Sequence, residues 1–434
     1  MAESKSITAR FGELASFLAS IKGDLSNVTG PTSFLAPKSV VEVGHCWAER
    51  PRVFAAPAFE DDPARRALAV QRLVLVALRP EVYVAAAPGV SIKKPLNAFL
   101  GELFLAGWTD NGDDASAAST EPKTDDKKSK KETAMTTTTT TTTALPPTAT
   151  RTTTRLVAEQ VSHHPPITAM HIASAPEHGV RADGYARVEM TFNGSVNIRQ
   201  VGHAIVRVDR HDEEHLIPLP DVKVRGFLSA CLYPEVLGTY HIVSSSGHVS
   251  ELKFTGAGVL RGKRNSFEAR LFHKSDPKKT LFKTAGCWSE SWTVKCGKTG
   301  AVVERYDVDA PENAPAPMEV APLDDQDHWE SRRAWAGVIA GLGAGADHKA
   351  AAAEKTKLEQ AQRRMRAGEL ERGEQWEPLL FASSDGADHE PFHRLTEGTD
   401  WELHDARTKG VWRLRGDRLA ELKKPCRGGL TPLG

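Results

Sequence analysis

The 434-residue chain is predicted to be an α+β protein, mainly β: a meandering antiparallel sheet, curled or closed, with helices at both ends. Three observations carry that expectation. From 156 to about 308, apolar residues recur with period two in one short run after another, divided by Gly, Asn and Pro turns, the pattern of consecutive antiparallel strands. Before residue 80 and again over 327–372 the period is helical. Between the N-terminal helices and the strands lies a stretch of Thr, Lys, Asp and Pro, residues 109–154, with almost nothing to bury.

Taken in order, RFGELASFLASIKGDL places Phe11, Leu14, Ala15, Leu18 and Ile21 on one helical face, with Glu13, Ser16 and Ser20 opposite. Its polar face is Ser-rich and weakly charged, which argues against strong electrostatic attachment to a membrane. A helix docked on a core and a movable cover both fit. SVVEVGHCWAERPRVF and DDPARRALAVQRLVLVALR are further helices, the second capped by Asp61 or Asp62 with Pro63 in its first turn. The insertion at 109–154 is expected to be a disordered loop, tolerated because closure entropy grows only logarithmically with length.

In VRADGYARVEMTF, Val180, Ala182, Gly184, Ala186, Val188, Met190 and Phe192 share a face, and VNIRQVGHAIVRV repeats the pattern. The small residues Gly184, Ala186, Gly202 and Ala204 suggest a wall with room for an elongated apolar guest, against the alternative of a filled core. Gln200 interrupts the second face, and an inward amide needs a partner, either a core neighbour or a ligand hydroxyl. In AAAEKTKLEQAQRRMRAGELER, Lys355, Glu359 and Arg363 fall on one stripe, by pattern alone a solvated face with ion pairs. After about 373 no period is clear.

Composition narrows the function. With 56 basic and 56 acidic residues, no global field favours nucleic acid, so an anion site must be a local cluster. No run reaches the roughly 20 apolar residues of a membrane-spanning helix, and there is no secretory leader. Five scattered cysteines form no CxxC pair or disulfide framework, which fits a reducing compartment.

The most distinctive stretch is EQVSHHPP, residues 159–166. Adjacent histidines in an extended chain point to opposite sides, and neither HExxH nor GxSxG accompanies them, which counts against metal and nucleophile chemistry. Pro165 restricts His164, and a stiff imidazole pair suits a fixed anion site better than a proton shuttle. A phosphate dianion beside it would favour imidazolium. A turn filler remains the alternative. KKPLNAFLGELF, residues 93–104, supplies Lys94, Asn97 and Glu102 around Pro95 and Gly101.

Together these stretches resemble the oxysterol-binding-protein-related family of lipid-transfer proteins. EQVSHHPP is similar to its signature, and KKPLNAFLGELF to its second marker, with Ala98 where proline is usual. RGKRNSFEARLF, AGCWSESW and HWESRRAW resemble its later blocks, and SVVEVGHCWAERP its early helix. The resemblance covers most of residues 10–372, and the chain is most similar to the short fungal type made of the lipid-binding domain alone.

The resemblance implies a near-complete antiparallel β-barrel around an apolar tunnel, with an N-terminal helical lid over 1–30 and C-terminal helices. The lipid-binding domain would span 31–372, leaving 373–434 as a segment of uncertain fold. It implies phosphatidylinositol 4-phosphate as one ligand, with Lys94, Asn97, Glu102, His163, His164, Lys355, Glu359 and Arg363 at its headgroup. A sterol is expected as the exchanged lipid ahead of phosphatidylserine, with Trp47 and Gln200 in the tunnel and Phe11, Leu14, Phe17, Leu18 and Ile21 on the lid. Two departures bear on the sterol: Ala186 stands where an inward asparagine occurs, and RPEVY, residues 79–83, departs from a Gln-Tyr pattern. The expected protein is not an enzyme and has no catalytic residue, metal or cofactor. It would be a cytoplasmic monomer, peripherally associated with endoplasmic reticulum, Golgi or plasma membrane. A lipid sensor that sequesters its ligand without transport is the competing reading, supported by the phosphorylatable Thr-rich loop.

Overall fold

The computed structural model describes residues 12–434 except 13–14, 17, 21–22, 27–29, 85, 113–150, 228, 230, 257–262, 344 and 400. Its centre is a 15-stranded sheet. The strands Leu103–Asp110, Thr152–His163, Pro166–Ser174, Val180–Phe192, Val196–Val208 and Glu213–Pro218 follow one another as antiparallel neighbours. Gly238–Ser244 takes the next place, followed in chain order by every strand to Val302–Asp307. The ribbon of Val222–Arg225 and Tyr233–Val236 leaves this row and pairs with Val196–Ile198 instead. A closed sheet is not what forms. The end strands Val302–Asp307 and Met318–Glu319 share no ladder. Residues 308–317 cross between the two edges, tied to the N-terminal helices: Ala316 N donates to Glu49 O (2.8 Å) and Arg50 Nε to Asn313 O (2.8 Å).

One helix, Pro63–Val82, packs on the inner face. Asp62 caps it as its spacing predicts, accepting from Ala64 N (2.8 Å) and Arg65 N (3.0 Å). Its buried polar residues fasten it to strands far apart in the row. Arg66 Nε donates to Glu213 (2.6 Å), Gln71 Nε2 to Thr284 Oγ1 (2.9 Å) and Arg72 Nη1 to Glu304 (3.2 Å). A buried guanidinium is tolerable only when paired, so each bond also forbids other placements of the helix. The earlier apolar stretch is a broken series: the 3-10 turn Val40–Glu42 and the short helices His45–Ala48 and Pro51–Ala55.

Two expectations about the strands change. The insertion expected to be disordered over 109–154 does not reach either bound, because Thr109 pairs with Thr153 and Asp110 with Thr152; residues 113–150 lie outside the described residues. The small residues divide. Ala204 sits in the filled core, and a Cβ on Gly184 would lie 3.0 Å from Ala204 Cβ and 3.2 Å from Met170 Cε, so these two serve close packing, whereas Ala186 lines a small cavity with Lys94 and Asn97, and Gly202 lines another with Tyr185 and His203.

The segment after 373 packs on the sheet's outer face. Alternation explains why LVAEQV is buried throughout: Leu156 and Ala158 face the inner core, Val157 and Val161 a second core. That second core includes Leu380 and Phe381, Val411 and Trp412 from the two-stranded sheet Phe381–Ser384 and Val411–Leu414, and Leu358 of the helix His348–Arg372. Glu159, fully buried, accepts from Leu379 N (2.6 Å) and Leu380 N (2.8 Å) and pairs with Arg427 (3.6 Å). Glu159→Ala leaves those donors unmet. It is expected to lower unfolding free energy by about 3 kcal/mol in urea titration and to speed proteolysis around 373–380. Unchanged stability would show that the segment is held otherwise.

Candidate functional site

The site assembles from three segments distant in sequence. The first is the short strand Lys94–Leu96 and the loop after it. Gly101 (φ +82°) turns that loop where a Cβ would meet Trp376 at 2.2 Å, and the amide exchange Gly101 N→Gln160 O and Gln160 N→Glu102 O (both 2.9 Å) sets it beside EQVSHHPP. The second is a hairpin in which His163 pairs with Pro166, leaving His164 and Pro165 as the turn, their peptide bond cis. The third is the helix His348–Arg372, capped by Asp347.

These place the basic residues together. His163 Nδ1 bonds Ala98 O at 2.9 Å, which joins hairpin to loop. The two imidazoles meet edge to face at 4.6 Å, with His164 exposed. Burial and then His164 lower the His163 pKa, against the pull of the Ala98 carbonyl and the Glu359 carboxylate. Lys94 is pushed down to about 8, first by burial and then by the Lys355 ammonium, with Asp24 opposing. Lys355 is buried and donates to Glu359, while Arg363 is exposed and has no partner among the described residues. Asn97 is half-buried beside Lys94, with both lining a small side cavity.

Lys94 also borders the apolar cavity. The walls are Val188, Met190, Val196 and Ile198 of the sheet, Phe227 and Leu232 of the ribbon, and Val82 at the end of the long helix. Leu18 and Leu25 cover it. The cover is stitched down: Leu25 N donates to Met190 O (2.7 Å), Met190 N to Asp24 Oδ1 (2.9 Å) and Lys94 Nζ to Ser26 O (3.4 Å). Of the expected lid residues only Leu18 is described; Phe11, Leu14, Phe17 and Ile21 lie outside the described residues. The cavity holds about 230 Å³, below the roughly 300–1,000 Å³ of an ordinary ligand site.

Gln200 does line this cavity, its Nε2 donating to Glu81 (3.1 Å) and Pro220 O (2.9 Å). Glu81 lines it too, and burial raises its pKa. Trp47 is not among the lining residues. It is buried in the inner core, on the helix His45–Ala48 that packs against Pro63–Val82. Glu102 also departs from expectation. It is fully buried, accepting from Phe99 N (3.0 Å) and Trp335 Nε1 (2.9 Å), and so braces the loop from beneath.

Two residues escaped the sequence reading. Arg366 acts on the His163 charge and stacks on Trp376 at 4.3 Å; it continues the Lys355–Arg363 stripe by one i+3 step, a signal that was available. Glu81 sits inside RPEVY, but nothing in the sequence pairs it with Gln200.

Burial pushes the Glu102 carboxyl up to about 7 from an ordinary 4.5. The folded chain therefore holds an extra proton between those values, and its stability falls as pH rises through them. Glu102→Gln is expected to remove this part of the pH slope in denaturation from pH 4.5 to 8 and to be at least as stable as the parent at pH 8. An unchanged slope would mean that the carboxyl titrates normally.

Among the described residues no group of three His, Cys, Asp or Glu could hold a metal ion, and no helix is long and apolar enough to cross a membrane. The oxysterol-binding protein family model matches residues 13–338. A probable transporter, efuK of Hormonema carpetanum, is 41% identical over 421 residues; the match covers 96% of this chain, which spans only 54% of that relative. Protein kes1 of Schizosaccharomyces pombe is 32% identical, with 85% of each chain covered. Among solved structures, the Osh3 ORD of Saccharomyces cerevisiae in complex with PI(4)P superposes with a TM-score of 0.60 at 16% identity, covering 89% of this chain and 94% of its own. The Osh1 ORD domain in complex with cholesterol gives a TM-score of 0.60 at 18% identity, covering 90% of each. On its fold, its marker blocks and the reach of the family match, this chain belongs to the oxysterol-binding protein family.

Proposed function

We propose that this protein carries lipids between membranes, taking phosphatidylinositol 4-phosphate and a sterol in turn in one apolar cavity. The observation that carries the reading is Lys94. It borders the apolar cavity and at the same time stands against Lys355, with His163 and His164 on the adjoining hairpin. A phosphorylated headgroup would meet Lys94, Lys355, Arg363, Arg366 and the histidine pair, with Asn97 offering a neutral donor and acceptor. Glu359 would hold Lys355 and balance the histidines. The acyl chains would occupy the apolar walls below, where each methylene removed from water is worth about 0.8 kcal/mol.

The cavity as it stands is too small for a whole lipid, so loading requires the cover carrying Leu18 and Leu25 to move. Both cargoes would then use the same walls, which makes their binding mutually exclusive and lets a gradient of one drive the other. The Glu81–Gln200 pair supports a cargo with a hydroxyl at its buried end, as a sterol has, over phosphatidylserine. A nearly closed barrel around the cargo, a monomeric carrier and peripheral contact with organelle membranes belong to the same proposal. The relatives known with PI(4)P or cholesterol bound support the choice of lipids.

Transfer of fluorescent sterol between liposomes is expected to accelerate when the acceptor contains phosphatidylinositol 4-phosphate; no acceleration would sink the exchange reading. The double variant His163→Ala/His164→Ala should weaken phosphoinositide binding at least tenfold through loss of charged hydrogen bonds, while sterol uptake persists. The Lys94 ammonium near 8 gives a further test. Headgroup affinity needs it protonated, so affinity should fall as pH rises through 8, and Lys94→Arg should hold it to higher pH. A flat profile in the parent chain would remove Lys94 from the site.

A further inference from the structure

The C-terminal segment does not lie flat on the sheet. Two hollows open beneath it, of about 830 and 200 Å³, and Tyr185 and His203 of the sheet line both. Between them stand two stacked imidazoles, His203 from the strand Val196–Val208 and His389 at the N-cap of the helix Glu390–Thr396. The rings lie 5.0 Å apart and 18° from parallel, with Phe392 against both. Both histidines are buried, and their Nε2 atoms meet at 2.8 Å.

Two nitrogens at that distance share one proton, and the neighbours decide where it sits. Arg413 of the strand Val411–Leu414 donates to His389 Nδ1, and a guanidinium has no lone pair, so Nδ1 must accept. Neutral His389 therefore carries its proton on Nε2 and gives it to His203 Nε2. His203 in turn carries its own on Nδ1, facing the Tyr185 hydroxyl at 3.5 Å. No further proton fits. One on His389 Nδ1 would meet the arginine, and one on His203 Nε2 would set N–H against N–H. The carboxylates around the pair are already engaged. Asp183 is taken by His171 (2.7 Å), Glu214 by Arg207 and Arg394, and Glu390 by Arg394 (2.9 Å). Asp405 accepts from Gly386 N (3.1 Å) and Ala406 N (2.8 Å). Arg181 and His393 add only positive charge nearby.

We propose that this pair is an acid-released latch, which docks the C-terminal segment on the sheet while both imidazoles are neutral and lets go when they take up protons. The release reaches the lipid cavity. Arg407 of the segment holds Glu189, and Arg187 Nη1 donates to Arg407 O (2.8 Å). Glu189 adjoins Met190, whose backbone carries two of the stitches of the cover, from Leu25 and to Asp24. With the segment loosened, that strand end loses its outer support and the cover its anchor. This consequence rests on the carrier reading; the latch does not.

Burial, then His389 and Arg413, hold the His203 pKa well below its ordinary 6.5, and burial, then Arg413, push His389 down to about 4. Folded values below those of the released imidazoles mean that docking is strongest above 6.5 and weakens as pH falls toward 4. At pH 5 a released histidine of ordinary pKa is protonated about 30 to 1. Each should then raise the opening constant roughly 30-fold over pH 7.5, and the two together about a thousandfold.

The test is hydrogen exchange of the full chain from pH 7.5 to 5, corrected for the intrinsic pH dependence of exchange. Protection over 386–399 and 405–415 should fall about a thousandfold in the parent while that of Ser266–His273 holds. His203→Gln or His389→Gln alone should leave roughly a 30-fold fall, and the double variant none. Equal protection of the parent at both pH values would overturn the proposal, as would a double variant that opens with acid as the parent does. Where glutamine weakens docking at every pH, the parent still decides. Its opening must take up two protons and steepen toward about a hundredfold per pH unit below 6, and a shallower one-proton slope excludes the pair. Loss of preloaded fluorescent sterol to liposomes should quicken at pH 5 in the parent and not in the double variant. An opened segment with unchanged sterol loss would cut the link to the cover. Hydrogen exchange needs no lipid, so the latch and the carrier reading fail independently.

Discussion

The molecule depends on one constraint: a sheet this wide exposes more apolar surface on its inner face than one helix covers. Pro63–Val82 fills the part it reaches, and its Arg66, Gln71 and Arg72 are locked to three strands, Glu213–Pro218, Asp276–Cys287 and Val302–Asp307. Buried cations without carboxylates would be prohibitive, so the helix has a single allowed register. The surface beyond its last turn is left to the cavity, and the segment carrying Leu18 and Leu25 covers that remainder with few bonds. Cavity and cover therefore follow from where the helix stops.

The charge at the mouth follows from the same arrangement. Loop, hairpin and helix are braced from beneath: by Glu102 under the loop, Glu159 under the C-terminal segment, and half-buried Trp376 between Arg366 and Arg427. With these in place, burial and the nearby Lys355 ammonium hold the Lys94 pKa down, and His163 is similarly crowded by His164. A site built of mutually repelling cations above an apolar hollow is poised for an amphiphile with an anionic head. The geometry favours charge and apolar length together over either alone.

How much of this could be read from the sequence divides along physical lines. Strand order from period-two patterning, the Asp62 cap and the convergence of Lys94, His163 and the Lys355 helix were all accessible, because local periodicity and marker blocks carry them. The burial of Glu102 was not legible, since a carboxylate inside a marker block looks the same whether it faces a ligand or braces a turn. Nor does an aromatic in an apolar helical run tell whether it lines a cavity or, as Trp47 does, packs in the inner core. The segment after 373 gave no period because its elements are short and bury against a sheet face supplied by residues 220 positions earlier, as Leu379 does on Glu159. The open edge between Val302–Asp307 and Met318–Glu319 is a property of strand pairing, which alternation on single strands does not reveal.

The central claim is that one cavity serves two lipids under a shared cationic mouth. Native mass spectrometry of the full chain after incubation with liposomes containing both phosphatidylinositol 4-phosphate and sterol tests it most directly. The account predicts one-to-one adducts of either lipid and none carrying both. A ternary species, or a chain that emerges with no lipid at all, would contradict it.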